Sequence, residues 1–167
     1  MIRDLINREK IRRAALYLVC IFVVQFFQDN IFASLRLFGV NMFFMPAVVV
    51  AIGAFEGGVW GAALGLVTGF LTDISYGNVA LFTALFPVLG FFAGVLARWY
   101  VNASLVAYLA MCLGALLVTG AAQSLELFMR GHEFFAMLRT VIIQALWSMP
   151  MAAVVYFPCR AIGRRRV

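Results

Sequence analysis

From Gly53 to Gly77 every fourth residue is a glycine except one: Gly53, Gly57, Gly61, Gly65, Gly69, then Asp73, then Gly77. In water each of these glycines would weaken a helix by about 1 kcal/mol relative to alanine. The residues between them are strongly apolar, as in Val59-Trp60-Gly61-Ala62-Ala63-Leu64-Gly65-Leu66-Val67, which reads differently in lipid. There a row of small residues lets a neighbouring backbone come close, and van der Waals contact replaces the hydrophobic drive that lipid removes. A four-residue step advances about 400° around the helix, so the row drifts slowly and suits a neighbour that crosses at an angle. The feature predicts a packed bundle with this helix, the third, at its centre. Gly57, Gly61, Gly65, Gly69 and Gly77 are the expected packing residues, and Asp73 caps the row where the helix meets the membrane surface. Leucine at position 65 should separate the helices, and alanine at 69 should be milder.

Composition agrees with a membrane class. Hydrophobic residues make up 65% of the chain and charged residues 12%, with a mean hydropathy of +1.02. Soluble domains carry about 25% charged residues. A crossing takes roughly 20 residues, so the 167 residues are expected to form a single polytopic domain, 1–167, with short tails. The fold class is an all-α membrane protein, a six-transmembrane-helix bundle with spans at about 14–35, 38–55, 57–73, 79–98, 104–128 and 139–159. Pro46, Pro87 and Pro150 lie inside three of these runs, where neighbouring helices can satisfy the freed carbonyls. The first run has no Ala-x-Ala cleavage site and is read as a retained span.

The formal charge is +6, but its placement speaks for topology rather than nucleic acid. Arg3, Arg8, Lys10, Arg12 and Arg13 precede the first run, and Arg160, Arg164, Arg165 and Arg166 follow or end the last. With both termini inside, Arg98 joins them, and only Arg36, Arg130 and Arg139 lie outside. The positive-inside rule therefore puts N and C termini in the cytoplasm, with anionic lipid as a partner of the basic tails and no nucleic acid. A tight turn at Phe55-Glu56-Gly57-Gly58 joins the second and third spans. Glu56 there serves either as an acid complementing the third helix's dipole or as a contact for a cytoplasmic partner.

Polar residues gather at the outer ends of the spans: Gln25, Gln28 and Asp29; Thr68, Thr72 and Asp73; Thr119, Gln123, Ser124 and Glu126; and the stripe Thr140, Gln144, Ser148. Such groups in lipid face protein, water or each other, so a polar seam on the outer half is expected. Three readings stay open for it: interhelical hydrogen bonds, a surface for another protein's helix, and a small-molecule cavity. Glu126 and Arg130 are spaced as a helix-surface pair, and Asp73 shapes the turn that follows it. Cys20, Cys112 and Cys159 sit in apolar runs without CxxC spacing and read as structural thiols, not as a disulfide framework or metal site. His132 is the only histidine, and no HExxH, GxSxG or P-loop pattern occurs. No catalytic, cofactor or metal site is therefore expected, and the chain is not read as an enzyme.

The stretch from Glu56 to Arg98 resembles the core of the MreD family, the rod shape-determining membrane protein of bacterial cell-wall elongation. The resemblance rests on Gly57-Gly58-Val59-Trp60-Gly61-Ala62-Ala63-Leu64-Gly65-Leu66-Val67-Thr68-Gly69-Phe70-Leu71-Thr72-Asp73, then Gly77 and the run Ala80-Leu81-Phe82-Thr83-Ala84. That specific part is about a quarter of the chain; elsewhere the similarity is one of hydropathy and size. The resemblance implies a multi-pass protein of the bacterial cytoplasmic (inner) membrane. It also implies a non-enzymatic scaffold that partners an MreC-like bitopic protein. Through that partner the scaffold would join a RodA-type glycosyltransferase, a class B penicillin-binding transpeptidase and MreB. It further implies kinship in fold with the substrate-binding S components of energy-coupling-factor vitamin transporters, the alternative function. Those often carry an Ala-x-x-x-Ala face on their first helix, where this chain reads Ala14-Ala15-Leu16-Tyr17-Leu18-Val19.

Overall fold

The computed structural model describes residues 8–32, 36–37, 40–77, 80–100, 105–129 and 134–163. Six α-helices dominate: α1 (Arg8–Phe27), α2 (Met45–Glu56), α3 (Gly58–Tyr76), α4 (Leu81–Tyr100), α5 (Leu105–Met129) and α6 (Phe134–Gly163). A π turn, Gln28–Phe32, extends α1, and a short antiparallel ladder pairs β1 (Arg36–Leu37) with β2 (Val40–Asn41). All the helices but α2 carry apolar stretches of 19 to 27 residues, long enough to cross a membrane. The chain is a multi-pass membrane protein.

The helix at the centre is α2, which corrects the expectation for the third helix. Its Met45-Pro46-Ala47-Val48-Val49-Val50-Ala51-Ile52-Gly53 stretch is buried on every side, as a helix apolar all round should be. The other five surround it. α3 and α4 form one closely packed pair and α5 and α6 another, and α1 lies between α3 and α6. α3 is buried along one face only, because its glycines look toward α4 and α2 while Val59, Leu66, Phe70 and Ile74 point outward.

The second apolar run also departs from a full helical span. α2 has 12 residues, about 18 Å at 1.5 Å each, against roughly 30 Å of hydrocarbon. Asn41 belongs to β2, and Met42, Phe43 and Phe44 follow without regular structure. α2 is thus a shorter apolar helix, apart from the five that are long enough to cross a membrane. Pro46 occupies the first turn of α2, where its missing N–H costs nothing and its fixed φ suits the helix.

A single residue joins α2 to α3. Gly57 has φ 98° and ψ 168°, a region open essentially to glycine alone. Its N–H donates to Gly53 O at 2.9 Å, and its carbonyl accepts from Gly61 N at 2.9 Å. A Cβ here would meet the Arg98 guanidinium rather than a helix backbone. At the other end of α3, Gly77 takes the left-handed conformation, φ 68°, and nothing lies near its missing Cβ. Gly57 and Gly77, expected to pack helices, instead turn the chain. Near the α2–α3 turn lie both ends of the described chain: Arg13 of α1 is 4.0 Å from Glu56, and a Cβ on Gly163 of α6 would stand 3.0 Å from Phe55 Cβ.

The remaining glycines of the row hold α3 against the main chain of α4. A Cβ on Gly61 would lie 2.5 Å from Gly90 O, and one on Gly65 would lie 2.7 Å from Phe86 O. Gly69 faces the Phe82 carbonyl in the same way, and Gly53 of α2 faces the Gly90 carbonyl. α4 reciprocates with Gly90 against Gly61 and Gly94 against Gly58. Alanine at 69 is therefore not a mild change, since its Cβ meets the Phe82 carbonyl and stands 2.8 Å from Thr83 Cα. Gly69→Ala and Gly65→Leu should each destabilise by about 1–3 kcal/mol through overpacking. Gly114→Ala, where nothing lies within 4 Å, should be neutral or stabilising. Thermal unfolding in detergent separates these, and equal behaviour of Gly69→Ala and Gly114→Ala would remove the close-packing account.

Candidate functional site

The polar residues at the end of the bundle away from the α2–α3 turn form two constructions. In the first, Gln28 and Ser148 satisfy the buried non-helical backbone ahead of α2. Gln28 Nε2 donates to Met42 O at 2.6 Å, while Gln28 Oε1 accepts from Phe44 N at 3.3 Å. A primary amide carries a donor and an acceptor side by side, so one side chain does what a neighbouring strand would do. Ser148 Oγ of α6 accepts from Phe43 N at 3.0 Å. Irregular backbone at membrane depth is tolerated only with such internal partners. Gln28 opens the π turn and is fully buried; wider turns of this kind occur often at functional sites.

Next to this clasp, Gln25, Asp29, Thr72 and Ser75 tie α1 to α3. Gln25 Nε2 donates to the Asp29 carboxylate at 3.0 and 3.1 Å and reaches Ser75 Oγ at 3.3 Å. Ser75 Oγ donates to Asp29 Oδ2 at 2.9 Å. The Thr72 hydroxyl lies 3.3 Å from Gln25 Oε1 and 2.8 Å from Thr68 O. Tyr76 joins the two groups, since Gln28 Nε2 is 3.4 Å from its hydroxyl. Gln25 and Thr72 are buried, whereas Asp29 and Ser75 stay exposed at the rim.

The second construction belongs to Asp73, which caps α4. Its Oδ1 accepts from Phe82 N at 3.0 Å; its Oδ2 accepts from Thr83 N at 2.7 Å and Thr83 Oγ1 at 2.6 Å. The residue before α4 is Ala80, which has no capping side chain and holds a left-handed φ of 58°. The carboxylate therefore arrives from the end of α3, satisfies orphan N–H groups and complements the dipole.

The other expected seam residues lie on α5 and α6. Thr119 donates to Ala115 O of its own helix at 2.6 Å. Gln123 and Gln144 are half-buried, and Thr140 is exposed. The Glu126 side chain and Arg130 fall outside the described residues. Glu56 lies at the opposite end, 4.0 Å from Arg13 and accepting from Tyr17 Oη at 3.4 Å. Among the described residues, no three His, Cys, Asp or Glu side chains group as a metal site.

Several residues escaped the sequence reading. Gly90 and Gly94 of α4 carried a legible signal, their own four-residue spacing. Tyr17 and Tyr108 carried none: Tyr17 Oη reaches Cys159 O at 3.3 Å, and Tyr108 Oη lies 3.2 Å from Ala47 O and 3.1 Å from Ala152 O. Ser75 and Thr83 were likewise inconspicuous.

In comparisons with known proteins, no family model, no curated protein and no solved structure matches the chain. The chemistry of the site is thus read from its geometry alone. Its buried side chains bind this protein's own backbone and one another, and Asp29 is the carboxylate left at the rim. Gln28→Leu would orphan a buried N–H and a carbonyl, at about 1–3 kcal/mol for each unsatisfied group. Asp73→Ala should cost a similar amount, and Asp73→Asn less because one acceptor oxygen survives. Gln144→Leu should change little. Thermal unfolding of the purified variants checks the order, and a Gln28→Leu protein as stable as the parent would refute the backbone clasp.

Proposed function

We propose that the chain is a non-enzymatic membrane scaffold of the MreD kind, working in the bacterial cytoplasmic membrane beside an MreC-like bitopic protein. On this reading it crosses six times, the second crossing completed by the non-helical residues ahead of α2, and its termini face the cytoplasm. Arg12, Arg13, Arg98 and Arg160 support that orientation through the positive-inside rule, since they fall toward the end of the bundle where both ends of the described chain lie, beside the α2–α3 turn. Through its partner the scaffold would meet the glycosyltransferase, transpeptidase and actin homologue of wall elongation.

One observation carries the preference for a scaffold over a transporter S component. Gln25, Gln28, Thr72, Asp73 and Ser148, the buried polar groups that a small ligand would need, are hydrogen-bonded within the protein. Releasing them for a ligand would first orphan the backbone of Met42–Phe44 and the start of α4. A rigid bundle with an exposed Asp29–Ser75 rim suits docking of another protein instead.

Native mass spectrometry of gently solubilised protein, co-expressed with an MreC-like bitopic protein, tests the proposal. The expected result is a complex with that bitopic protein and no bound small molecule. A stoichiometric vitamin-sized ligand on the isolated chain would overturn it in favour of the transporter reading.

A further inference from the structure

The carboxylates among the described side chains, Asp29, Glu56 and Asp73, are treated differently by the fold. Glu56 stands 4.0 Å from Arg13 and accepts from Tyr17 Oη. Asp73 spends both oxygens on the first amides of α4 and on the Thr83 hydroxyl. Asp29 accepts only from uncharged groups, Gln25 Nε2 and Ser75 Oγ. Among the described residues, no basic side chain lies within ion-pair distance of it.

Its place in the fold sharpens the need for a cation. Asp29 sits in the π turn that ends α1, and neither the helix nor the turn has a basic residue in its last turn. The C-terminal end of a helix is its negative end, which favours a cation and disfavours an acid. Ionisable groups within membrane spans pair with a partner or mark a functional site, and Asp29 falls near the end of the apolar stretch Ile11–Phe32. Its carboxylate is also oriented in advance. Bonds of 3.0 Å to Oδ1 and of 3.1 and 2.9 Å to Oδ2 use three of the about four acceptor directions a carboxylate has, and the one left is on Oδ1. Phe26, one turn back on α1, and Ile74, beside Ser75 on α3, are exposed. They offer apolar flanks of the kind that cover the aliphatic stem of a Lys or Arg.

We infer that Asp29 is the docking point for one cationic side chain, Lys or Arg, at the outer end of a partner protein's span. The inference rests on the scaffold reading above and names the chemistry that holds the partner at the rim. The partner's N–H donates to the remaining acceptor of Oδ1, while Gln25 and Ser75 keep the carboxylate from turning away. An outer basic residue runs against the positive-inside tendency, and this makes the pairing selective. Spans that carry Lys and Arg only at their inner end have nothing to offer Asp29. An aminophospholipid head group would bring the same charge, and the test separates it from a protein partner.

The full chain, co-expressed with an MreC-like bitopic protein and recovered in mild detergent, is read by native mass spectrometry for both protein and lipid. Asp29→Lys should lower the recovered complex about fivefold, the upper range for an exposed ion pair. Changing the partner's outer juxtamembrane Lys or Arg to Glu should do the same to the wild type and should restore the complex with Asp29→Lys. That restoration also shows that the Asp29→Lys chain folds. A complex that forms equally well with Asp29→Lys, or a loss that no charge swap restores, would overturn the inference and leave the scaffold reading standing. Failure of the wild type to form any complex would overturn both. An aminophospholipid retained by the wild type and lost in Asp29→Asn, with the protein complex unchanged, would assign the site to lipid and overturn the inference as well.

Discussion

Close approach of two main chains, α3 to α4, is the constraint on which the rest of the bundle depends. Gly61 against Gly90, Gly65 against Phe86 and Gly69 against Phe82 leave no room for even one methyl group between the helices. Lipid provides no hydrophobic drive for such a pair, so contact area per residue has to supply the attraction. The geometry also explains the unusual cap. With the helices this close, the end of α3 lies beside the start of α4, and Asp73 can reach the amides of Phe82 and Thr83. Gly53 continues the contact from α2, which brings the central helix into the same unit.

The central helix follows from a second constraint, that backbone in lipid must find partners within the protein. A 12-residue helix cannot cross alone, and the segment before it exposes amides and carbonyls that water cannot reach. Gln28 and Ser148 resolve this with three bonds from two helices. The functional consequence is that outer polar residues, which in isolation look like a ligand site, are part of the architecture. The same reasoning marks out α1, whose attachment is polar at both ends: Tyr17 reaches Glu56 and the Cys159 carbonyl, and Gln25 reaches Ser75 and Thr72.

Much of this was legible in the sequence, and the failures have physical causes. The glycine row announced close packing because its spacing is local and the surrounding residues are apolar. It did not announce which helix would be central, since the row marks one face, whereas centrality depends on the whole circumference. Residues 38–55 read as a helical span because periodicity alone cannot tell a short apolar non-helical stretch from an apolar helix. Pro46 was the available hint of a helix start. The partners of Met42–Phe44 lie at positions 28 and 148, too far away in sequence for local pattern to reveal. Asp73 was recognisable as a turn former, but Ala80's unsuitability as a cap was needed to see what the carboxylate serves. Gly57 and Gly77 shared the spacing of the packing glycines yet answer to backbone conformation.

The central claim, contact of the α3 and α4 main chains without intervening side chains, is open to direct measurement. Glycine-labelled protein in lipid bilayers, studied by solid-state NMR, should give a through-space correlation between Gly61 Cα and the Gly90 carbonyl carbon. Helices separated by side chains lie about 8–10 Å apart axis to axis, and their backbones would give no such signal. A strong Gly61–Gly90 correlation that weakens in Gly65→Leu, which keeps both labelled positions, is the predicted result. Its absence from well-folded wild-type protein, with α3 and α4 both helical, would contradict the account.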